Sequence, residues 1–140
     1  ITGAHKLGAD WWPWGDFHAV YYVLMLTNWR RYEGIAWLAM VVPFTQLATI
    51  VTLIFEITWF MVPLALVYRA SRTRPGQLRS LSNRLDLRTI YVLVGSGMHL
   101  SIWLTLNVGS FSAVTVALYT CLFHHDEYVA LWKRLSWGRR

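Results

Sequence analysis

Charge is scarce in this chain. Of its 140 residues only 14% are Asp, Glu, Lys or Arg, against about 25% in an ordinary soluble domain. That scarcity excludes a disordered chain and a coiled coil, which both depend on dense charge. Cysteine is nearly absent: Cys121 stands alone, so the disulfide framework of a small secreted module is excluded as well. It sits inside an apolar run and reads as small core or lipid-facing packing. No charged stretch precedes an apolar run at the start, so no signal peptide is visible. The opening ITGAHKLGADWW reads as the middle of a longer chain. Internal repeats, linkers and a second domain are missing too.

What the chain does have is apolar bulk. Hydrophobic residues make up 56% of it and Trp occurs nine times, with a mean hydropathy of +0.37. A soluble fold of this length could not hide that much apolar surface. The net charge of +6 raises the possibility of nucleic acid as a partner, but the positions of the charges argue against it. Arg69, Arg72, Arg74, Arg79, Arg84 and Arg88 fall in one connecting segment, and Lys133, Arg134, Arg139 and Arg140 close the chain. Basic clusters flanking long apolar runs are the pattern of cytoplasmic membrane loops.

These features predict an all-α fold: an integral membrane helical bundle of about three transmembrane helices with interfacial or re-entrant helices, forming one membrane domain over 1–140. The clearest span is 44–68, about 25 residues, enough for the ~30 Å hydrocarbon core. Pro43 is tolerated near its start and Pro63 should kink it. Residues 69–88 read as an Arg-rich loop. Residues 89–123, about 35 of them, are too long for one span and read as a transmembrane hairpin, turning at Asn107, Gly109 and Ser110. Gly95, Ser96 and Gly97 on one side, and Ser110, Ser112 and Ala113 on the other, allow close helix approach. Residues 1–43 form a Trp-rich interfacial segment, with a complete span from Trp12 to Trp29 as the alternative. Residues 124–140 form an amphipathic tail, with Tyr128, Leu131, Trp132 and Leu135 at i, i+3, i+4 and i+7. A hairpin separates the Arg-rich loop from the tail, so both lie on one side, predicted to be cytoplasmic. Arg30, Arg31 and Lys6 then lie near the opposite face.

Ionisable groups inside apolar runs cost about 2.5–3.5 kcal/mol each on insertion scales, which makes each a candidate for function. Glu56 is the strongest by position; its bland reading is a carboxyl held neutral by burial or paired with an Arg or His of a neighbouring helix. His99, in GSGMHLSIW, is more often a packing residue than a ligand in such a setting, although a single imidazole suffices for haem or chlorophyll. The cluster His124, His125, Asp126 and Glu127 is a poor metal site, because adjacent helical residues point in different directions. It reads as a solvated helix end. Lys6 is either a snorkelling interfacial lysine or a desolvated amine that acts as a base.

Two blocks carry a family likeness. The run Lys6, Leu7, Ala9, Asp10, Trp11 resembles the lysine-containing segment of vitamin K-dependent gamma-glutamyl carboxylase and its bacterial relatives, the horizontally transferred transmembrane domain family. The stretch GMHLSIWLTLNVGSFSAVTVALYTCLF resembles that family's later hairpin, at His99, Gly109, Phe111 and Ser112, and EYVALWKRL resembles its exit. The acid in TLIFEITWFMVPLAL has a counterpart there too. The likeness covers nearly all of the chain but only about the second half of the family's membrane domain. Ile102 stands where the family has an asparagine, and the family's upstream histidine has no counterpart.

The resemblance implies a bacterial inner-membrane protein that uses a vitamin K-type quinol, with Lys6 as the base and His99 and Glu56 near the quinone-side cavity. In full-length relatives the deprotonated quinol reacts with oxygen, and the strong base that forms removes a γ-proton from glutamate, which carbon dioxide then captures. The competing expectation is a non-catalytic accessory subunit of a larger membrane complex, for example an energy-transducing or photosynthetic one. Its partners would be the bilayer and other membrane subunits or a missing N-terminal half.

Overall fold

The computed structural model describes residues 7–137, without the side chains of Leu135 and Trp137. Among the described residues the fold is all-helical, with one isolated bridge between Arg30 and Leu106 as its only strand-like pairing. Its α-helices are α1 (Ala19–Met25), α2 (Ala36–Met40), α3 (Val42–Ile57), α4 (Met61–Ala70), α5 (Gln77–Leu85), α6 (Leu87–Thr105), α7 (Phe111–Tyr119) and α8 (His125–Trp137).

The apolar run around 44–68 folds as one continuous helical rod, Val42–Ala70, with a mean hydropathy of 2.2 in its most apolar stretch. Its 29 residues extend about 43 Å at 1.5 Å per residue. It is the one helix among the described residues that is long and apolar enough to cross a membrane. Pro43 occupies its first turn, where no donor is lost. Pro63 has no N–H to offer the Trp59 carbonyl, and just ahead of it the rod tightens into a 3-10 turn, Thr58–Phe60, that joins α3 to α4. The Tyr91 hydroxyl donates to the Thr58 carbonyl at 3.0 Å, so a carbonyl at this irregularity gains a partner from α6.

The Trp-rich N-terminal third is built from short pieces: 3-10 turns at Ala9–Trp11 and Pro13–Gly15, then α1 of seven residues and α2 of five. It is fastened to the first half of α3 by small and hydroxylic residues. Ala19, Ala39, Thr45 and Thr49 are all buried there. The Val20 N–H, an orphan donor in the first turn of α1, donates to Thr49 Oγ1 at 3.1 Å. Thr49 in turn donates to the Thr45 carbonyl at 2.9 Å, and Gln46 Nε2 donates to the Asp16 carbonyl at 2.9 Å.

α6 packs on the rod, α7 on α6, and α5 on α4. The turn between α6 and α7 includes Gly109 at φ +60°, a left-handed position suited to glycine. At the far end of α6 the chain is clamped to the N-terminal third: Arg31 N–H donates to the Thr105 carbonyl at 3.0 Å and Asn107 N–H to the Trp29 carbonyl at 2.8 Å. The Arg31 guanidinium lies 5.1 Å from the centre of the Trp103 ring. Arg88 and Thr105 sit at opposite ends of α6, about 26 Å apart along its axis. The basic connecting segment and the Arg30–Arg31 pair therefore occupy opposite ends of that helix.

Much apolar surface faces outward. Leu93 on α6 is 68% exposed and Phe60 on the rod 64%, while the buried hydrophobic core holds few large side chains. The segment read from sequence as a loop, 69–88, contains the nine-residue helix α5.

Candidate functional site

Glu56 on α3 and His99 on α6, 43 positions apart in the chain, line one cavity of about 460 Å³. Its walls come from α3, α6 and α7 and their 3-10 extensions, with Phe55, Trp59, Phe111 and Tyr119 supplying rings. Glu56 is half-buried and lies within electrostatic reach of His99. His99 is 6% exposed, and its Nδ1 is buried without a hydrogen-bond partner.

The rings hold one another in place. His99 meets Phe111 edge-on at 5.4 Å between centroids and Tyr119 at 6.0 Å. Trp59 lies 5.7 Å from Phe55 and 6.1 Å from Tyr119. The helices approach closely enough for this because Gly95 carries no side chain. A Cβ there would lie 2.6 Å from the Tyr119 hydroxyl and 2.8 Å from Phe55 Cζ. The threonines of the wall are satisfied within their own helices: Thr52 donates to the Ala48 carbonyl at 2.8 Å and Thr115 to the Phe111 carbonyl at 2.9 Å. Glu56 and His99, with the Tyr119 hydroxyl, are the titratable groups of an otherwise mostly aromatic and aliphatic pocket.

A cavity of this size and lining suits a small ring compound with polar substituents, since ligand sites are typically about 300–1,000 Å³ and mostly apolar, with a few placed polar groups. A haem- or chlorophyll-ligating imidazole is normally oriented by a hydrogen bond from its second ring nitrogen. His99 Nδ1 makes no such bond. Among the described residues no group of three or more His, Cys, Asp or Glu side chains could hold a metal ion. Lys6, the third candidate from the sequence, lies outside the described residues.

A second polar centre was not singled out by the sequence. Glu127, read as part of a solvated helix end, accepts from Arg88 Nη2 at 2.7 Å through Oε1 and from Arg88 Nη1 at 3.0 Å through Oε2. It also accepts from Arg69 Nη2 at 3.1 Å and from the His124 backbone N–H at 2.9 Å, the latter tying down the first turn of α8. Arg88 is 1% exposed and donates further to the Leu122 carbonyl at 3.0 Å and to Asp86 at 3.3 Å. The Arg88 hydrogen bonds, with lesser help from the His124 N–H and from Arg69, hold the Glu127 carboxyl down at a pKa of about 2. This is a structural clamp between the ends of α4, α6 and α7 and the start of α8.

No family model, curated protein or solved structure shows significant similarity to the chain.

Proposed function

We propose that this chain is a membrane-embedded helical domain that binds a lipid-soluble quinol between α3, α6 and α7. The observation that carries the proposal is the convergence of Glu56 and His99 on a cavity of about 460 Å³ walled by aromatic rings. His99 would hydrogen-bond a ring oxygen, and Glu56 would hold or release a proton beside it. Phe55, Trp59, Phe111 and Tyr119 would position the ring and exclude water. The quinol, when bound, would supply reducing equivalents and an ionisable hydroxyl. The resemblance of the segment starting at Lys6 to carboxylase-type domains makes quinol-linked carboxylation the favoured reaction, with Lys6 as the base.

The membrane setting is supported by the rod Val42–Ala70 and by the apolar outer faces of α6 and α7, where Leu93, Leu104 and Val114 are all exposed. Burying such faces in lipid removes a surface that a soluble monomer rarely tolerates. α6 and α7 would form the transmembrane hairpin. The basic end that holds Arg69, Arg72, Arg74 and α8 would be cytoplasmic. A second reading, an accessory subunit without catalysis, is favoured by the N-terminal third, where Trp37 and Met40 are widely exposed on the five-residue α2. A neighbouring subunit would cover them.

The deciding experiment titrates the full chain in detergent micelles with a short-chain naphthoquinol, read by quenching of tryptophan fluorescence. His99→Leu and Glu56→Leu should each weaken binding by about tenfold, the worth of one hydrogen bond to a polar or charged group. Unchanged affinity in both variants overturns the proposed site. Lys6→Ala should abolish quinol-dependent turnover while leaving binding intact, and turnover at the parent rate would rule out Lys6 as the base.

A further inference from the structure

The connection between the rod and α6 holds a helix whose apolar face looks the wrong way for a soluble protein. Leu78, Leu81 and Leu85 recur at i, i+3 and i+7, so they share one face of α5. They are 70%, 53% and 49% exposed. The opposite, polar side is the one that docks: Ser82 is buried, Asn83 Nδ2 donates to the Tyr68 carbonyl at 3.1 Å, and the Arg79 guanidinium lies 5.6 Å from the centre of the Tyr68 ring. A helix that packs by its polar side and leaves leucines outward has its apolar face reserved for something else.

The charges around that face identify the occupant. Arg79 is committed to the fold, donating to Ser71 Oγ and to the Arg74 and Pro75 carbonyls. Arg72, Arg74 and Arg84 are exposed, and among the described residues none of them forms an ion pair. The one acid within 69–88, Asp86, is engaged by Arg88 and by the Thr89 hydroxyl. α5 begins seven residues after α4 ends at Ala70, so it sits against the end of the rod, where a bilayer surface would lie.

We propose that α5 is an interfacial helix that docks on anionic phospholipid, with Leu78, Leu81 and Leu85 entering the acyl boundary and Arg72, Arg74 and Arg84 contacting headgroup phosphates. Amphipathic helices of this composition bind by apolar burial together with attraction to anionic lipid. The inference rests on the membrane reading above and extends it to a lipid class and to particular residues.

The test uses the full chain in a Cys121→Ala background, carrying an environment-sensitive fluorophore at Leu81→Cys, at Ser80→Cys on the other side of α5, or at Ile54→Cys on the outer face of the rod. Each is reconstituted in vesicles of phosphatidylcholine alone and of phosphatidylcholine with phosphatidylglycerol. The Leu81 label should report an apolar setting only in the anionic vesicles, and salt should reverse it, while the Ser80 label stays in water in both. Replacing Arg72, Arg74 and Arg84 with Gln should lower the ratio of lipid-bound to water-exposed label about fivefold per arginine. A Leu81 label that reads the same in both vesicles, or that ignores salt and the three arginines, overturns the proposal while an apolar Ile54 label keeps the membrane reading intact. An Ile54 label in water in every vesicle overturns that reading and this inference with it.

Discussion

Arg88 and Glu127, 39 positions apart, meet in a two-point ion pair with N–O distances of 2.7 and 3.0 Å, and the arginine is 1% exposed. A guanidinium matches a carboxylate through two parallel N–H donors, and each such bond is stronger than a neutral one. Removing one partner strands the other. Glu127→Gln takes the carboxylate from the buried Arg88 and leaves it with the neutral Leu122 carbonyl and the weaker Asp86 contact, so it should cost on the order of 3 kcal/mol. Thermal unfolding in detergent, followed by tryptophan fluorescence, reads this directly. Arg88→Lys, which keeps the charge and loses the fork, should recover only part of the stability. If Glu127→Gln melts with the parent protein, the clamp contributes nothing.

The same pair makes stability depend on pH in a defined window. The Glu127 carboxyl ordinarily titrates at 4.5 and in the folded chain at about 2. A folded-state value below the unfolded one adds stability that is complete above the unfolded value and is lost as pH falls towards the folded one. From neutral pH down to about 5 this group should contribute a flat line; between pH 4.5 and 2 it should remove on the order of 3 kcal/mol. Unfolding midpoints at a series of pH values, compared with Glu127→Gln, isolate it. The parent's excess over the variant should shrink through that window. A constant difference down to pH 2 would show that Glu127 is not the group responsible.

Physical reasons separate what could be read in the chain from what could not. The rod was legible because 44–68 is apolar over some 25 residues with Glu56 as its one charged group, and it is observed as Val42–Ala70. α5 also left a signal, leucines at helical spacing within the basic segment, which the density of arginine concealed. The partnership of Glu56 with His99 had no signal, since helical periodicity orients a side chain on its own helix and says nothing of which helix it faces. Nor could the sequence tell Arg88 from the five other arginines of its segment, because burial follows from the docking of α8 some 40 residues on.

Glycine shows the same limit and supplies a sharp comparison. Gly95 and Gly97 look equivalent in GSGMH, yet a Cβ at Gly95 would collide with Tyr119 and Phe55, whereas one at Gly97 would meet nothing within 4 Å. Both rings are buried and have little room to retreat. Gly95→Ala should therefore destabilise the chain by about 1–3 kcal/mol through overpacking and weaken naphthoquinol binding by displacing Tyr119. Gly97→Ala should be neutral or raise the melting point, as alanine favours a helix over glycine by up to about 1 kcal/mol. Equal melting points for the two variants would show that the α6–α7 contact at Gly95 is looser than the geometry demands.

Thr45 and Thr49 allow a final distinction, between a hydroxyl that serves its own helix and one that holds two helices together. Both are fully buried, and each donates to a carbonyl within α3. Thr49 Oγ1 also accepts the Val20 N–H at 3.1 Å, and that donor belongs to the first turn of α1, where no intrahelical acceptor exists. Valine has nearly the shape of threonine without the hydroxyl, so substitution isolates the hydrogen bonds. Thr45→Val loses one local bond and should cost below about 1 kcal/mol. Thr49→Val leaves a part-buried backbone N–H without its acceptor and should cost about 1–3 kcal/mol. Hydrogen exchange gives the local readout: in Thr49→Val the amides of α1 should exchange faster while those of α6 keep their protection. If protection across α1 is unchanged, the Thr49 hydroxyl is not what fastens the N-terminal third to the rod.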